Sequence, residues 1–490
     1  AVSIAAVALM AAATDAQKPM APLDASVVVR AAPVQGRQWT VTDDGHFITA
    51  ENAVLRLKFA YNANSYQGWF MGTTSGGGGR DGGIVELYYK PTSATRNLIF
   101  RNGTWGSGLD NMDFWEAEHQ GGAGFTAPDL ESGRHAVMNS SSVSESAGRL
   151  TATFDFQFAA WRIIRTYIVY PWGDITVHAQ LTVTQTSNWN YLGHRFSFGV
   201  SPYSFSNGAT TYNWGARYRA ESESYHAWTD GAPFGTTTEN FYEYSRRITP
   251  TIVENSVNYE VGRQDHFGGF LIDDASGNDP DIIVMAGDPN IHESPFQQIP
   301  RKLSSEPGIG AYIETAIWNY DWAPQGETAA QMTYFYMTTP SNQVSVSTPW
   351  PTSLGTWRET FHVMFRRDFG AADYLPLWKA RTRDIVRAAP TSLSGGKATL
   401  NSTDALYHIK ADNRGSTIQF DWTRPSMATN SIDYRTAFVI ESFSPSHVEI
   451  QGVGAPALDA YYDSRTRQTL LVLSGPQAPQ PQPYTIKIVK

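Results

Sequence analysis

Short segments in which apolar and polar residues alternate recur along most of the chain. Successive side chains of a strand lie on opposite faces, so this period of two predicts antiparallel sheets with one face on a core. Only one stretch has a helical period, and Pro390 ends it. We therefore expect an all-β chain. Clear alternating segments occupy residues 47–50, 54–59, 150–158, 174–183 and 331–337.

The length of 490 residues predicts two domains, one of them an unusually large β domain. Strand patterns resume after a Gly- and Ser-rich loop with the spacing of a small β-sandwich. The N-terminal apolar run ends in small residues, as the tail of a signal peptide does, which predicts a secreted or periplasmic protein. The predicted parts are a signal-peptide-like remnant (residues 1–18), an extended lead-in (19–38), the large domain (39–370), a linking helix (371–390) and the small sandwich (391–490).

Charge and composition narrow the function classes. The net charge is −9 and no run of Lys or Arg occurs, so nucleic acid is not an expected partner. No segment after the N-terminal run is long enough to span a membrane. The absence of Cys excludes disulfides, thiolate catalysis and Cys-ligated zinc, and no His pair has ligand spacing.

Aromatic residues make up 13% of the chain, whereas charged residues make up 17%, below the usual fraction. Flat rings with polar tips stack on the C–H faces of sugars, which favours a polysaccharide or oligosaccharide partner. The alternative is that β-cores and interfaces simply favour aromatic residues.

Several segments carry a resemblance to a known family. Residues 82–93 and 96–99 resemble the early strand pair of galactose-mutarotase-like supersandwich domains, and residues 166–177 and 181–186 resemble their paired central strands. The resemblance extends over residues 45–370 and implies a large antiparallel supersandwich followed by the small C-terminal β-sandwich. Such domains occur in polysaccharide lyases and glycosidases.

One departure from the family pattern bears on activity. Segment 196–203 is similar to the sheet-edge segment in which sugar epimerases of this fold carry an active-site His, but the corresponding residue here is Ser201. Epimerisation at the anomeric carbon needs an acid and a base on opposite sides of the ring. The resemblance therefore disfavours simple mutarotase activity.

The densest group of candidate residues lies between positions 189 and 228. A lyase that cleaves a uronic-acid polysaccharide needs Arg or His to neutralise the substrate carboxylate, and Tyr, His or Lys to move a proton. The alternative is a strand–loop–strand segment with ordinary β aromatics. The candidate catalytic residues are His194, Arg217, Tyr218, Arg219 and His226, and the candidate substrate-binding residues are Trp189, Tyr203, Tyr212, Trp214 and Trp228.

A second group surrounds Glu314. If residues 312–318 form a strand, Tyr312, Glu314 and Trp318 share one face, and Glu314 is a candidate acid or base. Tyr312, Trp318 and Trp322 are candidate substrate-binding residues. The alternative to an acid or base at Glu314 is that the nearby rings form only a stacking platform. A glycoside hydrolase would need two acidic residues at a suitable separation. Candidates for this acid pair are Asp113, Glu116, Glu118, Glu221 and Glu314.

The loop at residues 273–281 offers oxygen ligands of the kind that calcium binds, from Asp273, Asp279 and Asp281, although it lacks the spacing of a known calcium loop. The alternative is an ordinary loop, since Asp, Asn and Gly are common in loops, and no cofactor is expected. Taken together, these features predict a polysaccharide lyase that cleaves an acidic glycan by β-elimination. The alternatives are a glycoside hydrolase that uses Glu314, and a non-catalytic carbohydrate-binding or surface-assembly protein.

Overall fold

A computed structural model gives the fold. It describes residues 26–62, 82–95, 97–99, 113–117, 137–158, 161–183, 191–200, 214–219, 224–228, 252–253, 256–257, 269–272, 280–286, 310–319, 328–337, 356–367, 389–401, 403–412, 415–424, 435–474 and 481–490. Every regular element in these ranges is a strand. The prediction of an all-β chain is confirmed.

The strands are numbered in chain order. The first fifteen are β1 (Ser26–Ala31), β2 (Val34–Gln35), β3 (Thr40–Asp43), β4 (Phe47–Glu51), β5 (Leu55–Ala60), β6 (Gly83–Tyr89), β7 (Asp113–Ala117), β8 (Val137–Ser146), β9 (Arg149–Phe158), β10 (Trp161–Val169), β11 (Ile175–Val183), β12 (Tyr191–Val200), β13 (Trp214–Arg219), β14 (Ser224–Trp228) and β15 (Ile252–Val253). The others are β16 (Ser256–Val257), β17 (Gly269–Ile272), β18 (Asp281–Ala286), β19 (Gly310–Asn319), β20 (Thr328–Met337), β21 (Thr356–Arg366), β22 (Thr391–Ser394), β23 (Gly396–Asn401), β24 (Leu406–Ala411), β25 (Thr417–Arg424), β26 (Thr436–Glu441), β27 (His447–Val453), β28 (Ala457–Asp463), β29 (Gln468–Ser474) and β30 (Gln482–Val489).

A nine-stranded antiparallel sheet dominates the larger part, in the order β14-β13-β17-β18-β21-β11-β10-β9-β8. Two four-stranded sheets accompany it, β19-β20-β12-β7 and β3-β4-β5-β6. The β3–β6 sheet packs against one face of the nine-stranded sheet. There Phe59 contacts Phe154 and Tyr167 with ring centroids 5.6 and 5.2 Å apart, and Tyr89 stacks on Phe365. This face of the nine-stranded sheet is the core face.

The C-terminal part is a sandwich of two sheets, β1-β27-β30-β25-β22 and β2-β28-β29-β26-β24-β23. Its core includes Trp422, Phe438 and Ile486, from both sheets. The first two strands of the chain complete these sheets, since β1 pairs with β27 and β2 pairs in parallel with β28. Part of the predicted lead-in at residues 19–38 therefore consists of strands that belong to the C-terminal sandwich.

Two central strands of the six-stranded sheet, β26 and β29, are buried on both faces. Residues that alternate with the sandwich core, such as Val439, Leu470 and Val472, pack against Ile168 and Trp172 of the larger part. We call this contact the joint. It also holds the β8–β9 turn, where Ala147 and Gly148 have φ angles of 49° and 74°. Positive φ at both central residues is the geometry of the tight hairpin turn whose twist matches that of strands.

Two predicted segments remain predictions. The signal-peptide-like remnant at residues 1–18 lies outside the described residues, as do residues 371–388 of the linking helix. Within the part of the chain that the structure describes, no helix is long and apolar enough to cross a membrane.

Candidate functional site

The face of the nine-stranded sheet opposite the core face is polar along its central strands, and we call it the polar face. Strand alternation places hydroxyl and imidazole groups there on β9, β10, β11 and β21, and most of them are buried. Polar groups held out of water in this way need hydrogen-bond partners. The residues that define the polar face are Thr153, Thr166, Thr176, His178, Thr360 and His362.

Two reciprocal Thr–His pairs join the central strands of this face. His178 Nδ1 lies 2.9 Å from Thr360 Oγ1, and His362 Nδ1 lies 3.1 Å from Thr176 Oγ1. Both imidazoles are 6% exposed. The pairs follow from the register, because β11 and β21 each carry the sequence Thr-x-His and run antiparallel with Thr176 opposite His362. Each hydroxyl therefore fixes the position of one ring.

The hydrogen bonding continues across neighbouring strands. Thr166, the register partner of His178 on β10, lies 3.2 Å from Thr153 on β9, measured between the hydroxyl oxygens. Farther along, the Arg162 guanidinium donates to both carboxylate oxygens of Asp155, and Arg162 lies at the exposed margin. Hydrogen bonding by Arg162 lowers the pKa of Asp155. The polar face therefore changes from buried hydroxyl and imidazole groups at its centre to an ion pair at its exposed margin.

At the other end of the polar face, Arg366 forms a buried two-point ion pair with Asp174, with N–O distances of 2.6 and 3.1 Å. Asp281, one of the predicted calcium ligands, is buried at the register position opposite Arg366. The positive charge of Arg366 would repel a cation bound by Asp281. The other predicted ligands, Asp273 and Asp279, lie outside the described residues, among which no cluster of acidic residues and His is suited to a metal ion.

The predicted catalytic residues His194 and Glu314 lie in the same four-stranded sheet but on opposite faces. His194 pairs with Tyr334, which pairs with Ile313, so the register places His194 in the row of Ile313 rather than that of Glu314. Tyr312 and Trp318 share the face of Glu314, since all three alternate along β19. A single site on this sheet therefore cannot use both His194 and Glu314 from one face.

Glu314 does share a row with one acidic candidate, Asp113. The row runs Asp113–Arg195–Thr333–Glu314 across β7, β12, β20 and β19. Three strand spacings separate the two acidic residues, about 14 Å between backbones. Glycosidase carboxylates lie about 5–9.5 Å apart. The register thus disfavours Asp113 and Glu314 as an acid pair. Glu116 falls on the face opposite Glu314, and Glu118 and Glu221 are outside the described residues.

The remaining predicted catalytic residues occupy β13 and β14, at one edge of the nine-stranded sheet. Arg217 pairs with His226, and Arg219 alternates with Arg217, so these three share a face. Trp214 pairs with Trp228. On its other side, Trp214 begins a row that runs through Ile272 and Ile282 to Phe365 of the core face. The face of Arg217, Arg219 and His226 is therefore continuous with the core face.

Tyr218 lies on the other side of β13, the side of the polar face. Because of the bulge between Trp214 and Arg217, Tyr218 is three ladder steps from Trp214. On β21, Phe365 aligns with Trp214, and His362 is three residues from Phe365. Tyr218 and His362 therefore lie in one row across the sheet. Three strand spacings, about 14 Å, lie between them. Four predicted binding residues, Trp189, Tyr203, Tyr212 and Trp322, lie outside the described residues.

The sequence analysis missed His178 and His362. The signal was present in the repeated Thr-x-His of 176–178 and 360–362. Each motif alone is an ordinary strand fragment, and only the antiparallel register brings the two together.

No family model matches this sequence, and no curated protein matches it. Among solved structures, the chain is similar to a heparan sulfate lyase from Pedobacter heparinus, with a TM-score of 0.31 and 8% identity over 78% of this chain and 40% of the lyase. It is also similar to a galactose 1-epimerase from Lactobacillus acidophilus, with a TM-score of 0.32 and 6% identity over 70% of this chain and 99% of the epimerase.

A putative aldose 1-epimerase from Escherichia coli K12 gives a TM-score of 0.26 and 11% identity over 69% of this chain and 100% of the epimerase. The chain spans only about two fifths of the heparan sulfate lyase, 40% of its length. Likenesses of this size assign neither a family nor an activity to the chain.

Proposed function

We propose that the chain is a carbohydrate-active enzyme, a polysaccharide lyase that cleaves an acidic glycan by β-elimination on the polar face. The observation that carries the proposal is the reciprocal pairing of His178 with Thr360 and of His362 with Thr176. Imidazole is the side chain best suited to proton transfer near neutral pH. A hydroxyl that fixes each ring supplies the positioning that such a transfer needs.

The reaction needs a base and an acid close together. A base removes the proton at C5 beside the uronate carboxylate, the electron pair forms the C4–C5 double bond, the C4–O bond breaks, and the leaving oxygen takes a proton. His178 and His362 are diagonal neighbours on adjacent strands, about 7–8 Å apart, so both imidazoles could act on one sugar. In the proposal, one imidazole acts as the base and the other as the acid.

The burial of both imidazoles supports this assignment. A water-poor setting strengthens hydrogen bonds and charge interactions with a reacting group. Because both rings are buried, a glycan can reach them only if the groups that cover them move aside. Tyr218, in the row of His362, is proposed to contact a neighbouring sugar, since about 14 Å across the strands exceeds the reach of one sugar.

A screen of the purified protein against uronic-acid and neutral glycans tests the proposal. Two signals are followed: the ultraviolet absorbance of the unsaturated uronide, and the number of reducing ends. A lyase raises both on an acidic glycan. Reducing ends without the absorbance would establish a hydrolase instead, and binding with neither signal would establish a non-catalytic sugar-binding protein.

A further inference from the structure

His408, on β24, lies between two carboxylates. Its Nε2 is 2.8 Å from Asp404 Oδ2, and its Nδ1 is 2.8 Å from Glu441 Oε1. A carboxylate accepts hydrogen bonds, so a ring that donates from both nitrogens must carry both protons and a positive charge. The geometry is therefore that of an imidazolium clamped between two acids.

Asp404 connects His408 and its two carboxylate partners to the joint. Arg149, the first residue of β9 in the larger part, donates from Nη1 to the same oxygen, Asp404 Oδ2, at 2.8 Å. Both partners are buried. Arg149 also contacts Gln468 of β29, and Ser146 donates to that Gln468 side chain at 2.9 Å. A polar network thus links the β8–β9 turn to the C-terminal sandwich beside the apolar contacts.

The charges around His408 balance only when the ring is protonated. Among the described residues, the charged groups that face it are Asp404 from the preceding turn, Glu441 from β26 and Arg149 from β9. Lys410 is exposed on the same side of β24. Burial lowers the pKa of His408, but the hydrogen bond and charge of Asp404 and the hydrogen bond of Glu441 outweigh it. The pKa of His408 is raised above its ordinary value.

We propose that His408 is a proton-operated latch that holds the C-terminal sandwich against the larger part. A neutral imidazole can donate to one carboxylate only and turns a lone pair toward the other. Loss of the proton therefore leaves His408, Asp404, Glu441 and Arg149 with one net negative charge. It also weakens the hydrogen bonds that position the Asp404 carboxylate for its ion pair with Arg149. Alkaline conditions open the latch, and mildly acidic conditions keep it closed.

The direction of the pH dependence follows from linkage. A group whose pKa is higher in the folded protein than in the unfolded chain stabilises the fold fully below the unfolded value, about 6.5 for His. That stabilisation is lost as the pH rises through the folded value. The latch should therefore begin to loosen above about pH 6.5, and it should be open once the pH exceeds the raised pKa of His408.

Nuclear magnetic resonance of the full chain tests the latch directly. The histidine ring signals are followed from about pH 5 to about pH 10, and the signal missing in His408→Gln identifies His408. We expect His408 to titrate above about 6.5. Backbone amides of β24 and of the β8–β9 turn should lose protection from hydrogen exchange, on the order of tenfold, with the same midpoint.

His447→Gln is the matched control, because His447 also contacts a carboxylate, that of Glu449, but lies in the other sheet of the sandwich. This variant should keep the alkaline loss of protection, whereas His408→Gln should lack it. Titration of His408 at or below its ordinary value would overturn the proposal. So would unchanged protection while His408 loses its proton. If His408→Gln does not fold, through-bond resonance assignment of the wild-type chain identifies the His408 signal, and the wild-type titration decides the matter.

Discussion

Gly82 shows how a single atom can limit packing in the larger part. Its φ is +73°, and an added Cβ would lie 2.1 Å from Cγ of the buried Phe154. Gly45 has a φ of +88° with nothing within 4 Å of its Cβ position. The two glycines therefore share the backbone requirement but not the packing requirement.

We expect Gly82→Ala to lower the free energy of unfolding by about 2–5 kcal/mol, from left-handed strain plus overpacking. Gly45→Ala should lower it by only about 1–2 kcal/mol, because strain acts alone. Denaturant unfolding of both variants measures the difference. Equal losses would mean that Phe154 does not press on Gly82.

At this scale the sequence predicted residue types better than residue partners. His178 and Thr360 are 182 positions apart, and Thr176 and His362 are 186 apart. Alternation places each residue on a face of its own strand, but the neighbour across the sheet depends on register. The same limitation applies to His194 and Glu314, which belong to two separate groups in the sequence and which the register places in one sheet on opposite faces.

Strands β26 and β29 are covered on both sides. Their uninterrupted apolar runs, residues 437–440 and 470–473, are typical of strands that face no water. Leu471 packs in the sandwich core and Leu470 packs in the joint, and both are 0% exposed. The element therefore supports two cores at once.

Leu470→Ala and Leu471→Ala form a matched pair of the same change on neighbouring residues. Each should lower the free energy of unfolding by about 2–5 kcal/mol, because each leaves a cavity in a packed interior. Thermal or denaturant unfolding of the two variants measures both. A loss of less than about 0.5 kcal/mol for Leu470→Ala, as at a surface position, would show that the joint is not a packed interface.

The strands themselves were predictable, since period-two alternation needs only local sequence. Their partners were not. The N-terminal strand β1 joins β27, and its six residues pair from Ser26 with Val453 to Ala31 with Val448. Nothing in a short strand identifies a partner more than four hundred residues away. Long-range pairing is decided by the whole core rather than by the segment.

At the scale of the whole molecule, the two parts are bound by more than a linker. The first strands of the chain belong to the C-terminal sandwich, and the third begins the larger part, so the chain crosses the joint near its start. Apolar contacts and the Arg149–Asp404 ion pair close the same boundary. These contacts attach the C-terminal sandwich to the nine-stranded sheet at the β8–β9 turn and near Ile168 and Trp172.

The polar face is proposed to carry out the chemistry, and two neighbouring residues of β21 test this proposal. His362 lies on the polar face, and the fully buried Val363 lies on the core face. Turnover per folded molecule is measured for His362→Gln and Val363→Ala on the acidic glycan that the wild type cleaves. We expect His362→Gln to lower turnover about 10²–10⁴-fold, as loss of an acid or base does. Val363→Ala should cost about 2 kcal/mol of stability with turnover kept. Wild-type turnover in His362→Gln, or no cleavage of any acidic glycan by the wild type, would show that the polar face is not the site of a lyase reaction.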